Sequence, residues 1–274
     1  LSVTLEGDRI SQGYRTDDAY QFQAAQYNQE WDAIVDEIYN LEHGVPISQG
    51  EVIGVINENS RPQDVVVCAA GSLPGDLHKL WRTRDPKGYH LEYGFSCMGY
   101  EIAGGLGVKM ADPDREVFVM VGDGSYLMMA QEIVTAVQEG IKLTIIVLNN
   151  HGYASIGGLS ESIGSEGFGT RYLQRNTDTN QLDGNRLPVD FAANARSLGA
   201  HVISAVDKSS LEAAIQMVKT QSSTTVIVIE TDREQSVPGY AWWDVPVAEV
   251  STLTSVQEKY DEYIKARKKE RHFL

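Results

Sequence analysis

Cysteine is scarce in this chain of 274 residues: Cys68 and Cys97 are its only two, too few for a disulfide framework and without metal-ligand spacing. That usage fits a reducing cytosol, so a cytoplasmic location is expected. Positive charge is also short. Lys and Arg number 23 against 38 Asp and Glu, a formal net charge of -15, whereas nucleic acids and anionic membranes both demand a positive footprint. Neither is expected as a partner, and any phosphate the chain holds has to be neutralised locally. Apolar runs are brief: none approaches the roughly 20 residues that cross a bilayer, and no basic segment followed by an apolar one opens the chain as a signal peptide would. Internal repeats and low-complexity tracts are lacking too. The chain starts at Leu1 without a methionine, and residues 1–15 show no clear periodicity, so a piece of something longer is expected.

What is present is a hydrophobic content of 42%, ample for a buried core. Tyr20, Phe22, Tyr27, Trp31, Ile34, Val35, Ile38 and Leu41 recur mostly three or four apart, which predicts a helix over 18–41 ended by Gly44 and Pro46. A second helix is expected over 49–58. Beyond Arg61-Pro62, continuous apolar runs at 65–68, 117–121, 143–148 and 226–229 alternate with helical patterns near 74–82, 98–110, 126–139, 188–198 and 209–220. Such runs are strands buried on both faces, as in a parallel sheet, and a further short strand is expected at 201–203. Strand alternating with helix means an α/β fold, a doubly wound and mainly parallel sheet. The expected organisation is a helical lead-in over 1–62, the α/β domain over 63–240, and a tail over 241–274 that opens with Trp242-Trp243 and ends in a charged helix over 256–271. Residues 152–184, rich in Gly, Ser, Asn and Asp, are too long for a passive connection and read as a binding loop or lid.

Two strand ends carry the chemistry. One run closes in Val121-Gly122-Asp123-Gly124-Ser125, the next in Leu148-Asn149-Asn150-His151-Gly152. Ligands of open parallel sheets bind outside the carboxyl ends of strands, at a switch in strand order. Asp123 offers an anionic oxygen and Asn150 an amide oxygen, a donor set suited to Mg²⁺ in the company of phosphate oxygens. Glycines 122, 124 and 152 let main chain approach closely, and a helix beginning near Ser125 aims N–H groups at an anion. The intervening residues 125–148 suffice for one helix and one strand, hence for two neighbouring parallel strands. Gly104-Gly105-Leu106-Gly107 is not a dinucleotide fingerprint, because it falls inside a helical pattern and not just after a strand.

The Gly-Asp-Gly, spacer, Asn-Asn pattern resembles the motif of the thiamine diphosphate-dependent enzymes. That resemblance implies metal ligation by Asp123, Asn150 and the Gly152 carbonyl, and cofactor contacts from Gly122, Gly124, Ser125 and Tyr153. It also gives a second diphosphate loop at Gly71, Ser72 and Leu73. Ser96-Cys97-Met98-Gly99-Tyr100 is similar to the family's segment in which a large apolar side chain, here Met98, wedges between the two cofactor rings while the carbonyl of Ser96 accepts from the aminopyrimidine. Three runs, 69–77, 89–101 and 242–250, are most similar to the branch of the family that opens a polyhydroxylated cyclic dione in myo-inositol catabolism, giving 5-deoxy-glucuronate. The implied chemistry is hydrolysis of a ring C–C bond with the cofactor as electron sink. His90 and Glu92 are the candidate catalytic or substrate-contacting side chains.

The family activates its cofactor with a glutamate from a pyrimidine-binding domain of another subunit, in homodimers or homotetramers, and no domain of that kind is recognised in these residues. The chain alone is therefore expected to be inactive. Other thiamine diphosphate lyases, acetolactate-synthase-like enzymes or 2-oxoacid decarboxylases, share the metal motif but not the runs around His90 and Trp242; a noncatalytic cofactor-binding module is the alternative from another class.

Overall fold

Alternate residues of each apolar run face opposite sides of one sheet, and each side is covered by helices. The computed structural model describes residues 16–239 and 244–270. Its elements are α1 (Asp18–Tyr39), α2 (Gln49–Asn59), β1 (Val65–Cys68), α3 (Ser72–Leu80), β2 (Tyr89–Leu91), α4 (Tyr100–Ala111), β3 (Val117–Gly122), α5 (Asp123–Met129), α6 (Glu132–Gln138), β4 (Thr144–Asn149), α7 (Ala154–Ser162), α8 (Phe191–Ser197), β5 (His201–Ala205), α9 (Lys208–Lys219), β6 (Thr225–Glu230) and α10 (Thr254–Arg267). All six strands are parallel, in the order β2-β1-β3-β4-β6-β5.

Val66, Cys68, Phe118, Met120, Ile146, Leu148, Ile227 and Ile229 turn to one face, where they meet α1, α2, α3 and α9. Val65, Val67, Val117, Val119, Val121, Ile145, Val147 and Val226 turn to the other, under α4, α5, α6 and α8. The period of two in the strands thus feeds two cores from one run of sequence. Helix α2 belongs to the first core along nearly its whole length. Its start is fixed by a capping box in which Ser48 and Glu51 satisfy each other's main chain. Helix α1 is held at its C-terminal half, where the Tyr39 hydroxyl donates to the Leu80 carbonyl at 2.6 Å and the Trp31 indole to that of Lys79 at 2.8 Å. Its Tyr20, Phe22 and Tyr27 are exposed.

Four details depart from the sequence expectation. Strand β2 was not anticipated, being only three residues long without an apolar run. The single helix expected over 126–139 begins instead at Asp123 and is interrupted at Ala130 and Gln131, where bonds from Ile133 and Val134 tighten to the third residue back. The Gly-rich segment contains a helix, α7. The tail helix is shorter than expected, and Trp242-Trp243 fall outside the described residues.

Strand order reverses between β1 and β3, because β1 is followed in sequence by β2 on its other side. The crevice at that reversal is where a sheet of this kind binds ligands. Helix α4 packs closely over β3 beside it: a β-carbon on Gly105 would run into Val119 Cγ2. Gly105→Ala is accordingly expected to destabilise the fold by about 1–3 kcal/mol through overpacking, despite alanine's better helix propensity. Urea unfolding of the two proteins checks this, and an alanine variant as stable as the parent or more so would contradict it.

Candidate functional site

Four chain segments converge at the strand-order reversal: the turn after β1, the segment entering α4, the turn between β3 and α5, and the loop after β4. They enclose a cleft with a cavity volume of about 50 Å³. Gly71, Ser72 and Leu73 form one wall, Met98 another, and Gly122, Asp123, Gly124 and Ser125 a third. Asn150, Gly152 and Tyr153 complete it. The structure thus brings together eleven of the residues singled out from sequence.

Asp123 is the fixed point. It is 1% exposed, and its carboxylate accepts from the Gly124 N–H at 2.8 Å through one oxygen and from the Gly152 N–H at 3.0 Å through the other. One side chain therefore ties the end of β3 to the loop after β4. Burial pushes its pKa up from 3.8 to about 6, while the Gly152 and Gly124 N–H groups and the nearby His151 oppose that rise. Beside it the Asn150 Oδ1 is buried with no hydrogen-bond partner. A buried polar atom left unsatisfied costs about 1–3 kcal/mol, so its place in the cleft wall asks for a ligand that accepts oxygen donation.

The loop bearing Asn150 is held from behind. His151 takes a left-handed conformation with φ of 61° and its ring meets Glu230 at 2.5 Å. The Tyr172 N–H donates to the His151 carbonyl at 3.0 Å and the Tyr153 N–H to that of Thr170 at 2.9 Å, so the middle of the Gly-rich segment closes back on the strand end. Position 152 admits only glycine, because a β-carbon would collide with the Thr170 carbonyl. At Gly124 a β-carbon would lie 2.8 Å from the Tyr153 ring and 3.5 Å from the Met98 methyl. Both side chains close over that glycine.

No lysine or arginine lines the cleft among the described residues, and those residues hold no cluster of three or more His, Cys, Asp or Glu fit for a metal. The donors are instead the Asp123 carboxylate, the Asn150 and Gln49 amides, the hydroxyls of Ser72, Ser125, Tyr153 and Ser155, and main chain. Such a set suits a hard cation completed by oxygens of a second ligand. An anion here has N–H groups, hydroxyls and such a cation to meet its charge. Glycine 71 supplies one approach: its φ of 103° turns the chain into α3 with no side chain capping that helix, so the first N–H groups of α3 lack intrahelical partners.

Three expected residues stand outside the lining. Ser96 is exposed, with φ of 52°. Glu92 accepts from the Phe95 N–H at 3.0 Å and the Cys97 N–H at 2.7 Å, bonds that hold its pKa down and order the turn leading to Met98. His90 Nε2 lies 2.7 Å from the Tyr100 hydroxyl, the two rings stacked with centroids 5.8 Å apart. Conversely, Gln49 from α2 lines the cleft unannounced, and residues 154–156 at the start of α7 line it from the segment expected to be a binding loop or lid. Position just past the Asn-Asn loop was a usable signal for the latter; Gln49 offered none, since the sheet alone brings α2 there. Past Gly71, Ser72, Ala154 and Ser155 the cleft adjoins a larger cavity of about 870 Å³, with Asp76, Lys79, Tyr93 and Tyr263 on its walls.

Residues 69–229 match the family model of the thiamine pyrophosphate enzyme, C-terminal TPP binding domain. Among curated proteins, the chain is 46% identical over 223 residues to 3D-(3,5/4)-trihydroxycyclohexane-1,2-dione hydrolase of Geobacillus thermodenitrificans, covering 81% of this chain and 35% of that protein. It is 42% identical over 236 residues to the Bacillus anthracis protein of the same name, covering 86% of the chain and 36% of the relative. The chain thus spans about a third of the length of these relatives. Among solved structures, the Rhodococcus jostii RHA1 thiamine diphosphate-dependent 4-hydroxybenzoylformate decarboxylase superposes with a TM-score of 0.58 at 19% identity, over 69% of this chain and 33% of that one, a likeness of fold.

The buried carboxylates make stability depend on pH in a definite sense. The folded pKa of Asp123, about 6, lies above its ordinary 3.8, so between these values the folded state holds more protons than the unfolded one and stability rises as pH falls. Burial pushes Asp76 and Glu101 the same way. With divalent cations chelated, the melting temperature is expected to rise from about pH 7 to about pH 5, and less so in Asp123→Asn. Thermal scans across that range test it; a fall with the same slope in both proteins would refute it.

Proposed function

The chain belongs to the thiamine pyrophosphate enzymes, whose C-terminal TPP-binding domain it carries, and from that premise we propose that it holds the diphosphate end of the cofactor in a hydrolase that opens the ring of a trihydroxycyclohexane-1,2-dione. The substrate follows from the two hydrolase relatives. Mg²⁺ would be held by the Asp123 carboxylate, Asn150 Oδ1 and the Gly152 carbonyl. The observation that carries the reading is the buried, unpartnered Asn150 Oδ1 beside the Asp123 carboxylate, in a cleft without basic side chains. A diphosphate cannot be neutralised there by the protein's own charge, and a divalent cation bridging protein and phosphate oxygens meets both needs.

Thiamine diphosphate, when bound, supplies a carbon nucleophile and an electron sink for breaking a bond beside a carbonyl. The chain's own residues position and enclose it. Gly71 and the start of α3, with the main chain at Gly122, Gly124 and Ser125, cradle the phosphates. Tyr153 and Met98 close over Gly124, and Met98 would serve as the wedge against the cofactor rings. Glu92 orders the turn on which Ser96 and Met98 sit, and His90 steadies Tyr100 at the head of α4; in this reading both act through the loop, their bonds being made within the chain. The cleft, at about 50 Å³, is far below the roughly 300–1,000 Å³ of a complete small-molecule pocket. It fits one end of the cofactor, and the adjoining cavity of about 870 Å³ has room for a polyhydroxylated ring. The activating glutamate comes from a pyrimidine-binding domain of another subunit, within a homodimer or homotetramer.

Calorimetric titration of Mg²⁺ and thiamine diphosphate is expected to show affinity weakened at least about tenfold in Asp123→Ala and in Asn150→Ala; heats equal to those of the parent would remove the metal assignment. The intact protein is expected to turn over the cyclic dione and not pyruvate, and the reverse preference would replace the hydrolase with a decarboxylase or acetolactate-synthase-like enzyme. Residues 1–274 by themselves are expected to give no turnover with Mg²⁺ and cofactor present, and appreciable rates would overturn the assignment of the activating group to another domain.

A further inference from the structure

Glu101 is a second carboxylate buried beside the cleft, and nothing in the reading above uses it. It lies in the first turn of α4 and is 1% exposed. The Gly99 N–H donates to its Oε2 at 3.0 Å, and the Ser125 hydroxyl and the Ala70 N–H lie near enough to stabilise its charge. Burial raises its pKa, and these donors oppose the rise.

An acid in the first turn of a helix is ordinarily a cap, satisfied by its own N–H and those next to it. Glu101 does this and more. Ala70 precedes the Gly71-Ser72 turn, Gly99 follows Met98, and Ser125 follows Gly124, so the polar groups around its carboxylate belong to three of the segments that wall the cleft. The contacts between those segments are tight on another side as well. Gly99 has φ of 94°, and a β-carbon there would sit 3.1 Å from that of Met129 and 3.3 Å from that of Met128. The segment bearing Met98 is thus seated on α5, and Glu101 closes the remaining side of the triangle.

We propose that Glu101 is a positioning residue of the cofactor site, its buried carboxylate holding the β1, α4 and β3 segments together so that the Gly71-Ser72 turn and the Gly124-Ser125 main chain stand at the separation a bound diphosphate meets. Removing its charge while keeping its shape leaves an amide group facing the Gly99 N–H, and the three segments lose the negative charge they share. The assignment rests on the cofactor reading above and predicts an effect on ligand affinity that a helix cap does not have.

The test titrates Mg²⁺ with inorganic pyrophosphate, and separately Mg²⁺ with thiamine diphosphate, into the intact protein and its Glu101→Gln, Glu101→Asp and Asp123→Ala variants, with the melting temperature of each ligand-free protein measured alongside. Glu101→Gln is expected to weaken both ligands about tenfold or more, the range found for groups that orient metal and ligand contacts, and Glu101→Asp to recover part of the loss. A lowered melting temperature with both affinities within about twofold of the parent would make Glu101 a cap alone and overturn the proposal. If Glu101→Gln does not fold, Ser125→Ala made in the parent and in Glu101→Asp decides: non-additive losses of affinity support the lock, additive losses overturn it. Asp123→Ala separates the two readings. Parent-like binding in that variant sinks the cofactor site itself; lost binding there with retained binding in Glu101→Gln sinks only the role of Glu101.

Discussion

One carboxylate shared between two strand ends organises this protein. Asp123 reaches the N–H after β3 and the N–H after β4 at once, and it does so out of water, at the cost that its raised pKa records. The arrangement dictates much around it. Glycine is required at 152 because the returning Gly-rich segment occupies the space of a side chain. Asn150 is left with its oxygen in the cleft wall and no donor to meet it. The Tyr172 and Tyr153 main-chain bonds fasten the returning segment behind them. A stability-driven sequence would place neither a buried carboxylate without a cation nor a buried amide oxygen without a donor here.

The sheet supplies the frame for that constraint. Parallel strands put all their carboxyl ends on one edge, and the reversal of order between β1 and β3 leaves a crevice there. Because both faces of every central strand are buried in apolar cores, the strand ends are held rigidly, and loops that start from rigid ends hold a site with little freedom.

Much of this was legible in sequence because the chemistry lies at strand ends, adjacent in the chain to the apolar runs that announce those strands. Gly122-Asp123-Gly124 and Asn149-Asn150 could be read as neighbours since one helix and one strand fit between them. The alternation of patterns gave the α/β class in the same way. Long-range geometry was not legible. Strand β2 escaped notice because three residues carry no period, and the break at Ala130 and Gln131 because both keep helical dihedral angles. Gln49 reaches the cleft only through the packing of α2 beneath the sheet. Glu101 was visible merely as an acid early in a helix, a common thing, since its other partners sit far along the chain. His90 and Glu92 drew attention by chemical type, whereas their bonds turn out to be made to Tyr100 and to the 95–97 main chain.

The lack of basic side chains around the cleft has a consequence for selectivity. A pocket that greeted phosphate with arginine or lysine would take up any of the phosphorylated compounds a cell contains. This one, in a chain of net charge -15 and with Asp123 in its wall, would meet an anion with N–H groups and hydroxyls alone, and a hydrated Mg²⁺ with a single carboxylate. In the proposed reading cation and anion would each complete the other's surroundings, and the pocket would act as a coincidence detector, filling when both arrive together.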